Sequence, residues 1–96
     1  MGTRTVLDTK DLGEALAGLP GWSVVNGQLH REFVFQNFSE AFAFMTRIAM
    51  AAEAANHHPD WSNSYNRVTV NLSTHSAGGI TEADLALAKT AHAFAP

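Results

Sequence analysis

Apolar residues recur along this chain at two spacings, and the switches between them mark the elements. From Asp8 to Gly18, Leu12, Leu16 and Leu19 follow a near-helical rhythm; Asp8 or Thr9 can cap the start, and Gly18 and Pro20 stop it. Gly21 to Val25 reads as a short strand. Asn26-Gly27 is a two-residue hairpin signal that leads into a return strand rich in Phe and Val, Gln28 to Gln36. Ser39 is placed to cap a long central helix that runs to about His57, where Pro59 forces the chain out of the helical region. Trp61 to Tyr65 is a third strand, and Asn66 turns the chain. A fourth strand, Arg67 to Thr74, sets Val68, Val70 and Leu72 on one face. After a loop of small residues, Ser76 to Gly79, the run Thr81-Glu82-Ala83-Asp84 is a capping box that opens a last helix to about Phe94. The order helix-strand-strand-helix-strand-strand-helix predicts an α+β fold, a four-stranded antiparallel sheet with the helices packed on one face.

The central helix is more apolar than a single buried stripe requires. Phe42, Met45, Ala49 and Ala52 form one apolar line, and Phe44, Ile48, Ala51 and Ala55 form another. The second line is expected to contact another subunit, its alanines allowing close helix approach. At 96 residues the chain is one domain's worth, residues 1–96, with a core too small to give more than modest stability alone. Association would supplement that core. With no cysteine, disulfides, thiolate metal sites and thiol nucleophiles are excluded.

Nine acidic residues against six basic ones, with no Lys/Arg cluster, disfavour direct nucleic-acid binding. The stretch Met1 to Lys10 is polar and lacks the apolar centre of a signal peptide, and no apolar run approaches the roughly 20 residues of a membrane span. A cytoplasmic protein with no membrane association is expected.

The chemistry lies in the five histidines. His57 is expected in the last turn of the central helix, on one face with Glu53, where the helix dipole and the carboxylate favour its cation and burial opposes it. His58 precedes Pro59 and points away from His57. His75 ends the fourth strand. Histidine exchanges protons near neutrality, so two on opposite sides of a substrate can act as acid and base. A helix-end histidine also serves as a simple cap. Adjacent His57 and His58 diverge and do not match the i, i+4 pair of a helical zinc site, so zinc is disfavoured. No serine stands in a nucleophile elbow. His30 and His92 have no comparable context.

The pattern is an acidic residue, three residues, His-His-Pro, five residues, an aromatic, nine residues and His, with a downstream Asp; it is met by Glu53, His57-His58-Pro59, Tyr65, His75 and Asp84. It resembles the signature of the pterin-4a-carbinolamine dehydratases. Leu19-Pro20-Gly21-Trp22, Phe33-Val34-Phe35, Asn37-Phe38 and Ala77 to Thr81 agree with that family as well, so the resemblance spans nearly the whole chain. It implies a cofactor-free hydro-lyase of tetrahydrobiopterin recycling, which removes water from a 4a-hydroxy-tetrahydropterin to give the quinonoid dihydropterin. An acid protonates the leaving hydroxyl, and a base takes the proton of the neighbouring ring nitrogen. It further implies His57 and His75 as proton-transfer groups, with His58 binding and orienting the pterin within the same catalytic set. Asn56, Ser73 and Thr74 would line the pocket, Glu53 would orient His57 or His58, and Asp84 would lie close to His75 while capping the last helix. Trp22 and Trp61 are packing residues. Where this chain has Asn56, some family members have Asp, a change expected to act on affinity more than on chemistry. The family implies a homodimer or homotetramer, with edge strands of two subunits joined into one sheet. A competing class is a non-catalytic pterin-binding or dimerisation module of the transcriptional-coactivator kind, and a third reading is an enzyme on a related pterin of molybdenum-cofactor metabolism. A pure binding role places no demand on three histidines together.

Overall fold

In the computed structural model, which describes residues 4–96, each helix begins at a side chain that closes its first turn. The reading of Met1 to Thr3 lies outside the described residues. Helix α1 (Thr9–Ala17) starts at Asp8, which accepts from the Asp11 amide. Helix α2 (Phe38–Ala55) starts at Asn37 and not at Ser39. The Asn37 side-chain Oδ1 accepts the Glu40 amide at 2.9 Å, and the Glu40 carboxylate accepts the Gln36 amide at 3.1 Å. This reciprocal pair pulls the helix start back and places Ser39 inside the first turn. Helix α3 (Glu82–Phe94) opens on the expected capping box of Thr81 and Asp84.

The strands are β1 (Ser23–Val25), β2 (Gln28–Val34), β3 (Asp60–Ser64) and β4 (Arg67–Leu72), in sheet order β1-β2-β4-β3 with every neighbour antiparallel. Asn26 at φ 52° and Gly27 at φ 76° give the left-handed pair that a tight hairpin between β1 and β2 demands. The register Leu29↔Leu72, Arg31↔Val70 and Phe33↔Val68 sets the apolar residues of the two central strands on one face. Against that face pack Ala41, Phe44, Ile48 and Ala52 of α2 and Leu85, Ala88 and Ala91 of α3, all buried. Phe44 is the hinge of this core, its ring centroid 4.6 Å from Phe33 and 5.0 Å from Phe35. Trp22 and Trp61 pack on the same core, Trp22 in an edge-to-face contact with Phe33 at 5.9 Å between centroids. The opposite sheet face carries His30, Glu32, Thr69 and Asn71, polar residues without a helix over them.

The second apolar line of α2, expected to meet another subunit, supplies this domain's own core, and Ala52 of the first line is buried with it. Phe44 and Ile48 face this domain's own core, whereas Phe42 is 53% exposed and Met50 71% exposed, beside exposed Phe38 and Ala49. Helical periodicity gives two lines but not their orientation; that is fixed by the sheet, whose Phe33 and Val68 need large partners above them. No helix among the described residues is long and apolar enough to cross a membrane. Because Ile48 lies wholly within the core, Ile48→Ala is expected to cost about 2–4 kcal/mol of unfolding free energy, read by urea denaturation.

Candidate active site

The end of α2 decides where the histidines go. The helix stops at Ala55, and Asn56 takes the left-handed conformation at φ 52°. The His57 amide then donates back to the Ala52 carbonyl at 3.0 Å, the closing bond of a Schellman-type end. His57 therefore lies beyond the helix and does not share a face with Glu53, contrary to the sequence expectation. Asparagine tolerates this backbone better than most residues, a signal that was present in the sequence.

The turn drives the His57 ring inward, where it is only 6% exposed. Its Nε2 meets Asp84 Oδ1 at 2.5 Å, and its Nδ1 accepts from Arg4 Nη1 at 3.1 Å. A guanidinium only donates, so Nδ1 is the acceptor, the His57 ring hydrogen sits on Nε2, and both ring nitrogens are engaged. Arg4 also donates from Nη2 to the Ala55 and Asn56 carbonyls, which would otherwise be left open at the helix end. Asp84 is fully buried. Its Oδ2 accepts the Thr74 hydroxyl at 2.9 Å and the Thr81 amide at 2.8 Å. Since Thr74 spends its one hydrogen on Asp84, the Thr81 hydroxyl must donate to Thr74 across their 2.7 Å contact. Asp84 thus bonds His57 directly, and its link toward His75 runs through the neighbouring Thr74.

The other two histidines of the set are exposed, and each also presents Nε2 to a carboxylate. His58 reaches Glu53 Oε1 at 2.8 Å, which settles Glu53 as the partner of His58. His75 reaches Asp60 Oδ2 at 3.1 Å. The same Asp60 oxygen accepts from Gln28 Nε2 at 3.1 Å, and Gln28 Nε2 also donates to Ser73 Oγ at 3.2 Å. The pairing Asp60↔Asn71 ends the β3–β4 ladder at the same end of the sheet as the Asn26-Gly27 turn. Alternation beyond Leu72 sends Thr74 into the core and Ser73 and His75 to the polar side. An open groove of about 420 Å³ lies there, lined by Gln28, Ser73, Thr74, His75 and the turns at Asn26-Gly27 and Gly78-Gly79. His58 is not among its lining residues. Two larger hollows, each about 540 Å³, contain no histidine. A smaller one of about 270 Å³, between α2 and α3 under Arg4, touches His57. Among the described residues, no group of three histidine or acidic side chains converges as a metal site. Sequence reasoning gave no role to Asp60, Gln28 or Arg4; the signal for Asp60 was its place next to the His-His-Pro run at the start of a strand.

Residues 5–94 match the family model described as pterin 4 alpha carbinolamine dehydratase. The chain belongs to this family. A relative from Mesorhizobium japonicum, named "Putative pterin-4-alpha-carbinolamine dehydratase", is 56% identical over 89 residues, 91% of each chain. One of the same name from Chelativorans sp. is 50% identical over 94 residues, 96% of each chain. A crystal structure of a transcriptional coactivator/pterin dehydratase from Brucella melitensis has a TM-score of 0.92 at 45% identity, covering 96% of this chain and all of that one. Fold and family thus agree with what the histidine spacing implied.

In this dehydratase-family chain the Asp84 cluster ties the α2 exit, the segment after β4 and the α3 cap to one buried carboxylate. Asp84→Ala would strand the His57 N–H, the Thr74 hydroxyl and the Thr81 amide. It is expected to destabilise the protein by about 3–5 kcal/mol in chemical denaturation, more than an ordinary lost cap.

Proposed function

We propose that this protein dehydrates a pterin 4a-carbinolamine, with His58 and His75 as the proton-transfer groups and His57 as the fixed support of the site. The observation that carries the division of labour is that both ring nitrogens of His57 are bonded and its ring is buried, whereas His58 and His75 are exposed and each use only Nε2. A buried imidazole held between a carboxylate and a guanidinium cannot collect a substrate proton without breaking one of those bonds. Among the described residues, nothing bonds Nδ1 of His58 or His75.

The reaction needs two such groups. Hydroxide leaves poorly, so one imidazolium gives its proton to the 4a-hydroxyl as the C–O bond breaks, and water departs. The lone pair of the adjacent ring nitrogen forms the new C=N bond, and the second imidazole takes that nitrogen's proton. One histidine loses the proton that the other gains, and solvent exchange restores both. Ser73 and the groove beside His75 would hold the pterin ring by hydrogen bonds, Thr74 would support that wall from its core side, and Asn56 would fix the chain entering His57-His58. We place the activity in tetrahydrobiopterin recycling in the cytoplasm, with no metal or redox group taking part. Stopped-flow absorbance of 4a-hydroxy-tetrahydropterin decay tests it. The wild-type rate should exceed buffer clearly, and His58→Ala and His75→Ala should each lose roughly a hundredfold in kcat with the fold intact. A wild-type rate equal to buffer would sink the dehydratase reading.

The exposed Phe38, Phe42, Ala49 and Met50 face of α2 supports self-association as a dimer or tetramer, since an apolar patch of this kind on a small domain marks an interface. Light scattering should show an oligomer for the wild type, and Phe42→Asp should shift it toward smaller species at micromolar concentration. An unchanged mass would place the contact elsewhere.

A further inference from the structure

We propose that Asp60, held by Gln28, is a positioning residue that fixes the tautomer of His75, so that Nδ1 is the nitrogen offered to the substrate. The proposal rests on the dehydratase reading for its kinetic consequence and on geometry alone for its structural one. Asp60 Oδ2 receives two donors, His75 Nε2 at 3.1 Å and Gln28 Nε2 at 3.1 Å. Gln28 spends its other amide hydrogen on Ser73 Oγ at 3.2 Å. The carboxylate has no hydrogen to give, so the neutral His75 ring must carry its own on Nε2, and the lone pair falls to Nδ1.

The parts come from three places in the sheet: Gln28 opens β2, Asp60 opens β3, and Ser73 follows β4. A loop histidine is thereby referenced to strand ends, which hold a side chain more tightly than a loop does. Asp60 stands one residue after Pro59, whose fixed backbone separates it from His58. His58 and His75 are therefore each anchored through Nε2 by a separate carboxylate, Glu53 and Asp60. His75 is 75% exposed and Asp60 55%, so water competes for this bond and its effect on rate is modest. A net hydrogen-bond contribution in such a setting corresponds to about a two- to tenfold change in rate.

Two-bond proton–nitrogen correlation spectra of the intact, nitrogen-15-labelled protein read the tautomer directly, at about pH 8.5 where ordinary imidazoles are neutral. The wild type is expected to show His75 as the Nε2–H form. Asp60→Ala should mix the two tautomers and lower kcat about two- to tenfold with a smaller change in KM. Asp60→Asn, which keeps an oxygen acceptor, should restore both tautomer and rate. A role confined to tying strand ends would change stability in Asp60→Ala but leave the tautomer alone. The proposal is overturned by an Nδ1–H His75 in the wild type, or by an Asp60→Ala protein with unchanged tautomer or unchanged kcat. Because the spectra are taken without substrate, they decide the tautomer assignment even if the wild type proves inactive on the carbinolamine, the outcome that would separately defeat the functional reading.

Discussion

The exit of α2, the segment after β4 and the start of α3 all depend on the buried carboxylate of Asp84. A carboxylate withdrawn from water is tolerated only when both oxygens find donors, and here three meet them: His57, Thr74 and the Thr81 amide. Those donors come from the exit of α2, the segment after β4 and the cap of α3. Satisfying one charge therefore brings three otherwise independent pieces of chain to a common point. His58 and His75 inherit their positions from this arrangement, each as the residue after one of Asp84's partners. They need not be buried to be placed.

The consequence is a division between histidines of the same motif. The spacing of His57, His58 and His75 makes them look equivalent along the chain, yet extended backbone alternates its side chains. His57 and Thr74 turn inward while His58, Ser73 and His75 turn outward. The inward pair finds a carboxylate that must be satisfied, and the outward set finds solvent and a groove. Each of the three rings offers Nε2 to an acidic side chain, which leaves Nδ1 as the variable atom: bonded to Arg4 in His57, and without a partner among the described residues in the other two.

Much of this was legible in the sequence, for identifiable reasons. The hairpin followed from Asn26-Gly27, whose preferred backbone is the one a tight turn needs, and the last helix followed from a capping box with both partners in register. The α+β order followed from the alternation of periods. What was not legible depended on contacts between distant segments. Helical spacing could not say which line of α2 faces the sheet, since Phe42 and Phe44 are equally apolar. The end of α2 was placed two residues late because Asn56 reads as polar and unremarked until its left-handed backbone is seen. The resemblance set Asp84 near His75, but only the fold shows that its bonds go to His57, 27 positions away, and to Thr74, the neighbour of His75. Gln28 and Asp60 are 32 residues apart and meet only because the β2–β4–β3 order folds their strand starts to one end.

The central claim is that substrate meets His58 and His75 while His57 stays bound to Asp84. Titrating the labelled protein with a stable dihydropterin that lacks the 4a-hydroxyl, and following all five imidazoles by nitrogen-15 spectra, tests it most directly. The account predicts saturable shifts at His58 and His75, with His57 holding its Nε2–H signal and His30 and His92 unchanged. Shifts centred on His57, with His58 and His75 unmoved, would contradict it.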